Sequence, residues 1–101
     1  MNLELINHFI EEFEKSNFIF SKAFKNKIAN ECESWKNDWV EVLKKLLRKI
    51  KNGQYPLTID NKGRFRVTNP LVKNQYMAIF FSKQNNGNFF IDIIKIGINN
   101  I

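Results

Sequence analysis

Cysteine and histidine are almost absent from the sequence, and their scarcity excludes several kinds of functional site. Cys32 and His8 are the only residues of their types. A disulfide needs two cysteines, and a structural zinc site needs about four Cys or His ligands. The sequence therefore predicts no disulfide, no metal site and no well-supported Cys–His nucleophile pair. We expect His8 at the surface and Cys32 in the core.

Long apolar runs, glycine-rich phosphate-binding motifs and a secretion signal are missing as well. No run approaches the roughly 20 apolar residues that cross a bilayer, and neither a GxGxxG motif nor a P-loop occurs. The N-terminal segment MNLELINHFIEEFEK is acidic and amphipathic, whereas a signal peptide begins with basic residues. We therefore expect a cytoplasmic protein with no membrane partner and no cofactor.

Glycine and proline are few, with four and two residues, whereas 44% of the chain is hydrophobic. This composition is typical of a folded globular protein and argues against disorder. A length of 101 residues suits one hydrophobic core. We predict a single domain over residues 1–101.

Positive charge is concentrated in the second part of the chain. The net charge is +6, but residues 1–43 carry eight acidic side chains against five lysines, which leaves −3. Residues 44–101 carry eleven Lys and Arg against Asp60 and Asp92, which leaves +9. Concentrated positive charge favours an anionic partner such as nucleic acid. AT-rich coding, which inflates Asn, Lys, Ile and Phe, is an alternative source of the basic composition.

The first half of the chain has the period of amphipathic helices. Apolar residues recur every three or four positions over residues 3–13, 24–35 and 39–50. Ser21 is placed to cap the second helix. We expect a break or kink near residues 37–38, although one continuous helix would show the same pattern.

After residue 53 the apolar period changes to two, which is typical of strands. Turn signals containing Asn, Gly or Pro separate four β-branched and aromatic runs: YPLTID, GRFRVTN, YMAIFFSK and NFFIDIIKIG. We predict an α+β fold, in which the helices of residues 1–52 pack on one face of a four-stranded antiparallel meander at residues 53–101. The predicted core includes Phe24, Ile28, Trp39, Leu43, Phe65, Val67 and Ile79.

The run GRFRVTN places Arg64 and Arg66 on one side of a strand, with Phe65 and Val67 on the other. If the apolar pair packs on the helices, both guanidinium groups stand on an uncovered sheet face. Arginine suits a polyanion because its planar fork holds phosphate through two hydrogen bonds and can stack on a base. We predict that both arginines bind phosphate. In the alternative, they pair with the two acidic residues of this part of the chain on an ordinary solvated face.

Other cations extend the predicted nucleic-acid-binding set. Lys83 and Lys95 lie on neighbouring predicted strands, and Lys73 lies in the connection between two strands. The helical run KKLLRKIK adds Lys44 and Arg48. The alternative for Lys44 and Arg48 is that they form the solvated face of the last turns of a helix, where cations complement the helix dipole.

The order of elements resembles that of a known group of proteins. A helical segment followed by GRFRV, the strand YMAIFF and a last strand IDIIKIG is similar to the RelE/ParE-type toxins. More broadly it resembles the barnase–colicin–RelE group of small RNA-cleaving folds. The resemblance covers about half the chain, over residues 52–97. Members often begin with a strand before the helices, whereas MNLELINHFI predicts a helix.

The resemblance implies a metal-independent endoribonuclease that acts on RNA, including ribosome-bound mRNA, and that has a cognate antitoxin as its protein partner. Arg64 and Arg66 would clamp the phosphate, and Lys83 or Lys95 would stabilise the charge that develops on it. Tyr76, or a lysine with a lowered pKa, would assist proton transfer.

Two other classes of function fit the same residues. The first is a non-catalytic RNA- or DNA-binding module that uses the basic face, with Tyr76, Phe80 or Phe90 as stacking platforms. The second is a phage- or plasmid-type inhibitor of a protein target, in which the ten Phe and two Trp residues would supply interface anchors.

Overall fold

The computed structural model describes residues 1–99, except for the side chain of Asn37. The described chain runs, in order, through α1 (Asn2–Glu14), β1 (Phe18–Phe20), α2 (Lys22–Glu31), a 3-10 segment (Cys32–Ser34), α3 (Asn37–Lys51), β2 (Phe65–Pro70), β3 (Gln75–Lys83) and β4 (Phe89–Ile98). The predicted α+β class is confirmed. Within residues 1–99, no helix is both long enough and apolar enough to cross a membrane.

The helices form where the apolar period places them. Ser21 caps α2 as predicted, since its backbone is extended and its Oγ accepts a hydrogen bond from the Phe24 amide nitrogen at 2.9 Å. The predicted break between the second and third helices is present, but it begins earlier, at Cys32. Trp35 then adopts extended backbone dihedrals, which ends the 3-10 segment before α3 starts.

The sheet has the strand order β1-β4-β3-β2 and is mixed. β2, β3 and β4 form the predicted antiparallel meander, but β1 lies parallel to β4, with Phe18 opposite Phe89 and Phe20 opposite Ile91. The prediction of a fully antiparallel sheet is therefore wrong. The helical half also contains a strand, because β1 lies between α1 and α2.

The run YPLTID, which was expected to be the first strand, is not a strand. It forms an irregular connection in which Leu57 and Ile59 are exposed, while the Tyr55 ring packs edge-on against Phe81. Alternating apolar residues indicated a strand here, but residues 54–59 do not pair with β2, which remains the edge of the sheet. The predicted turn at residues 60–63 does form, with a hydrogen bond from the Gly63 amide to the Asp60 carbonyl.

The β2–β3 connection is a short turn. Pro70 still belongs to β2, and residues 71–74 alone connect it to β3. Lys73 and Asn74 complete the turn with positive φ angles of 58° and 61°. Proline fits this position because β2 is an edge strand and, within residues 1–99, has no further neighbour to receive an amide hydrogen.

One hydrophobic core lies between the helices and a single face of the sheet. Five of the predicted core residues are buried there: Phe24, Ile28, Leu43, Val67 and Ile79. Two other predicted core residues, Trp39 and Phe65, are half-buried against the same cluster. The predicted core is thus confirmed for five of its seven residues, whereas Trp39 and Phe65 lie at its edge. The opposite face of the sheet lies outside the core.

Loss of the Ser21 side chain is expected to destabilise the junction of α2 and β4. The Ser21 hydroxyl donates to the Asp92 carbonyl as well as capping α2, so Ser21→Ala removes two interactions. We expect a loss of about 1–2 kcal/mol in the free energy of unfolding, measured by urea denaturation. Ser21→Asp should recover the capping part only, because a carboxylate accepts but does not donate. An unchanged midpoint for Ser21→Ala would contradict both roles.

Candidate nucleic-acid interface

The sheet face that points away from the core is not covered by any helix in the described part of the chain. We call it the open face and define it by six residues: Arg66, Tyr76, Phe80, Phe90, Ile93 and Lys95. The register places them there, since Arg66 lies opposite Phe80, and Phe80 lies opposite Ile93. The open face combines aromatic rings with cationic side chains.

The aromatic residues of the open face are half-buried. Tyr76, Phe80 and Phe90 are flanked by their neighbours on the sheet, and no helix packs against their outer surfaces within residues 1–99. Ala78, between Tyr76 and Phe80 on β3, is fully buried although it lies outside the hydrophobic core cluster. The larger side chains around Ala78 therefore form a continuous layer over the strands.

Arg66 is the accessible arginine of the open face. Its side chain is exposed, and its guanidinium carbon lies 5.5 Å from the centre of the Tyr76 ring and 5.9 Å from that of Phe80. No carboxylate among residues 1–99 forms an ion pair with it. Contacts between a cation and exposed rings contribute about 0.5–1 kcal/mol each, so the rings orient the guanidinium while leaving its hydrogen-bond donors accessible.

Arg64 has a different environment, although the alternation of GRFRVTN predicts the same role for both arginines. Only 17% of its side chain is exposed, and it forms ion pairs of 3.0 Å with Asp60 and with Asp92. Its guanidinium carbon also lies 4.7 Å from the centre of the Phe80 ring. Arg64 therefore follows the alternative prediction, in which an arginine of this strand pairs with acidic side chains. Both carboxylates compete with any phosphate for its donors.

The partners of Arg64 come from a turn and a bulge. Phe81 pairs with Ile91 and Phe80 pairs with Ile93, so Asp92 is an extra residue in β4 without a partner on β3. A bulge of this kind redirects the side chain at the irregularity. Hydrogen bonding to Asp92, and then to Asp60, raises the pKa of Arg64 above its ordinary value.

Acidification is expected to weaken this network through Asp60. The backbone N–H of Arg64, followed by that of Lys62 and by the Arg64 guanidinium, holds the pKa of Asp60 below its usual value of 3.8. A lowered pKa in the folded state means that the stabilisation is complete above the unfolded pKa and is lost as pH falls through the folded pKa. We expect Asp60→Asn to flatten the fall in unfolding free energy below about pH 4, measured by urea denaturation at several pH values. Parallel profiles for the two proteins would contradict this.

The lysines predicted to extend the cationic face divide between the two sides of the sheet. Lys95 lies opposite Ala78 and is exposed on the open face, as expected. Lys83 points to the helical side, where its Nζ lies 5.9 Å from the centre of the core Phe89 ring. The expectation that Lys83 joins Arg66 is wrong, because Lys83 and Phe81 are two residues apart and share the core side of β3.

The remaining predicted cations lie away from the open face. Lys44 and Arg48 belong to α3, in the helical layer on the other side of the sheet. Lys44 is further occupied, since its Nζ lies 3.8 Å above the Phe9 ring and 3.4 Å from Glu41. Lys73 is exposed in the β2–β3 turn. The structure thus does not bring the predicted nucleic-acid-binding residues together on one surface.

Tyr76 is fixed at one end of the open face by Gly97. The two residues are directly opposite on β3 and β4, and a Cβ atom added at residue 97 would overlap the Tyr76 ring. Glycine therefore allows the ring to pack on the backbone of β4. Tyr76 is one of the predicted site residues and Gly97 is not, because nothing in the local pattern indicates a ring opposite Gly97 on the neighbouring strand.

An open cleft of about 250 Å³ lies beside the Tyr76 ring. Five residues line it: Arg66, Thr68, Pro70, Tyr76 and Asn99. Thr68, Pro70 and Asn99 were not predicted as site residues, although the alternation of β2 places Thr68 and Pro70 on the same side as Arg66. The cleft combines a guanidinium, a hydroxyl and an amide with an aromatic wall.

The groups commonly used for acid–base or nucleophilic chemistry lie elsewhere. His8 is exposed on α1, as predicted, and Cys32 is fully buried. Burial, with a smaller effect of Glu33, raises the pKa of the Cys32 thiol. Residues 1–99 contain no group of three His, Cys, Asp or Glu side chains arranged to hold a metal ion. What the open face offers is cationic and hydroxyl donors beside aromatic surfaces.

Comparison of the chain with models of protein families, with curated proteins and with solved structures finds no match.

Proposed function

We propose that the open face binds single-stranded RNA. The observation that carries the proposal is an uncovered sheet face on which half-buried aromatic rings lie beside an arginine without an ion-pair partner among residues 1–99. Bases of a single strand stack on such rings whatever their identity, and cations beside the rings hold the backbone. Four-stranded sheets with exposed aromatic residues stack two or three RNA bases in this way.

The charge of the open face supports an anionic ligand. Arg66 and Lys95 are exposed there, and Asp92, the acidic residue nearest to them in the sheet, is occupied by Arg64. Arg64 with its two carboxylates carries a formal charge of −1, so this group adds no attraction for phosphate. We therefore assign the phosphate contact to Arg66 and a structural role to Arg64.

Arg66→Ala is expected to weaken RNA binding and to reduce its dependence on salt. For a single strand, each phosphate contact contributes about 0.7 to the slope of log affinity against log salt concentration. We expect the slope to fall by about that amount, measured by fluorescence anisotropy with a mixed-sequence RNA in a salt series. Arg66→Lys should retain the slope, because the positive charge remains. Its affinity should fall, because lysine cannot hold a phosphate through two parallel hydrogen bonds as arginine does.

Arg48→Ala is the matched control, since Arg48 is an exposed arginine on the helical layer. It should retain the affinity and nearly all of the slope. Equal curves for Arg66→Ala and wild type would contradict the proposal. A parallel series with DNA of the same sequence and with duplex RNA tests the preference for a single RNA strand, and tighter binding of either competitor would also contradict it.

RNA cleavage is a second candidate, favoured by the order of elements. From β1 onward the chain runs strand, two helices and three antiparallel strands, and a strand before the helices is what the resemblance to RelE/ParE-type toxins implies. In this proposal Arg66 stabilises charge on the phosphate and Tyr76 assists proton transfer. This second candidate would be supported if the wild type cleaves end-labelled RNA and Tyr76→Phe does not. It also predicts that induced expression of the wild type arrests growth. Binding without cleavage would leave the non-catalytic function.

A further inference from the structure

We infer that the cleft beside Tyr76 is a subsite for one unpaired nucleobase, whose phosphate contacts Arg66 and whose edge is read by Thr68 and Asn99. This inference rests on the proposed binding of single-stranded RNA. It goes further because it assigns selectivity between bases to one place on the open face, whereas stacking and backbone charge alone are tolerant of sequence.

The size of the cleft limits its occupant. Sites that enclose a drug-sized ligand measure roughly 300–1,000 Å³, and this cleft measures about 250 Å³ and is open to solvent. A single base fits that description, and the rest of the strand continues over the open face toward Phe80 and Phe90. One end of the sheet thus holds one nucleotide while the other rings stack its neighbours.

The aromatic wall of the cleft is held in one position. The Tyr76 ring packs on the Gly97 backbone, so rotation toward Gly97 is blocked. Arg66 lies beside the same ring, with its guanidinium carbon 5.5 Å from the ring centre. A base that stacks at Tyr76 therefore places its phosphate within reach of a cation whose position the ring also fixes.

The polar groups of the cleft can distinguish bases. Thr68 supplies a hydroxyl and Asn99 supplies an amide, and each group both donates and accepts. Among residues 1–99, neither side chain is engaged in a hydrogen bond that would compete with a ligand. The Asn99 backbone is anchored, since its amide donates to the Asn74 carbonyl at 2.6 Å. An asparagine amide and a threonine hydroxyl are common readers of base edges.

The test compares the affinities of oligoadenylate, oligocytidylate and oligouridylate, each of about ten nucleotides. We expect the wild type to prefer one of the three by about fivefold or more, because a well-placed pair of hydrogen bonds to a base edge discriminates at that level. In the double variant Thr68→Val with Asn99→Ala, the three affinities should converge toward that of the weakest wild-type ligand. The stacking and phosphate contacts remain in this variant.

The matched control is Thr58→Val with Asn30→Ala, which removes an exposed hydroxyl and an exposed amide outside the cleft. It should keep the wild-type preference. Equal binding of the three oligonucleotides by the wild type, or an unchanged preference in the cleft variant, overturns the base subsite and leaves RNA binding by the open face intact. Failure of the wild type to bind any of them overturns both proposals.

Discussion

Replacing Tyr76 and Phe90 together by Ala is expected to weaken binding of single-stranded RNA by about thirtyfold or more. Stacking of a base on an aromatic side chain contributes about 1–3 kcal/mol per base, and a loss of about 2 kcal/mol in total already gives that factor. The two rings lie at opposite ends of the open face, near the start of β3 and the start of β4. Their effects should therefore be nearly additive.

The variant is measured by fluorescence anisotropy beside two controls. Tyr76→Phe keeps the ring and should retain most of the affinity. Phe9→Ala removes another half-buried phenylalanine, but one that lies in the helical layer beneath Lys44, so RNA binding should be unchanged. A folded Tyr76/Phe90 double variant that binds as tightly as the wild type would contradict stacking on this surface. A protein that copurifies with the wild type but not with the Tyr76/Phe90 double variant would instead favour the inhibitor function.

Replacing Phe81 by Ala is expected to cost about 3–5 kcal/mol in the free energy of unfolding. Phe81 is fully buried on the core side of β3, and its ring centre lies 4.9 Å from that of Tyr55 and 5.6 Å from that of Phe65. The substitution leaves a cavity at the point where the irregular connection after α3 packs on the sheet. Because single domains are stable by only about 5–15 kcal/mol, the loss is a large share of the total.

Phe90→Ala is the matched comparison, because it removes the same side chain from the other face of the sheet. Phe90 is half-buried and lies outside the core cluster, so we expect less than half the effect of Phe81→Ala on urea denaturation. Phe81→Leu should be intermediate and remains measurable if Phe81→Ala does not fold. Equal destabilisation by the alanine substitutions would show that the open face is packed as tightly as the core.

Together these substitutions separate the two surfaces of one sheet. Residues that alternate along β3 are expected to affect stability on one side and RNA affinity on the other. Gly97 links the two effects, because a side chain there would displace the Tyr76 ring from a position that both packing and binding use. The proposed function therefore depends on a surface whose rings are held by the backbone beneath them.

Local pattern in the sequence was sufficient for most of the elements. The helical period placed α1, the cap at Ser21 and the apolar residues of α3, because neighbours three or four positions apart share a helix face. The alternation of GRFRVTN placed Phe65 and Val67 toward the core and Arg66 away from it. These features depend on residues that are near one another in the chain.

The identity of the fourth strand depended on contacts that are distant in the chain. YPLTID alternates as a strand should, but it does not pair with β2, and the fourth strand is instead the three-residue β1, which lies beside β4. The hydrogen-bond partners of these residues lie in β4, about seventy positions further along the sequence. The Asn17 side chain likewise donates to the Gly87 carbonyl, which is 70 positions away in the sequence. A three-residue run between two helices gives no local indication of such pairing.

The sequence by itself determined an α+β protein with a basic second half and an uncovered sheet face carrying arginine. Only the tertiary structure decided which arginine is accessible. Arg64 and Arg66 have the same alternation and the same chemistry, but the bulge at Asp92 and the turn at Asp60 bring two carboxylates to Arg64 alone. Pairing of charges is set by distances in space, and alternation along one strand specifies only the side on which a residue lies.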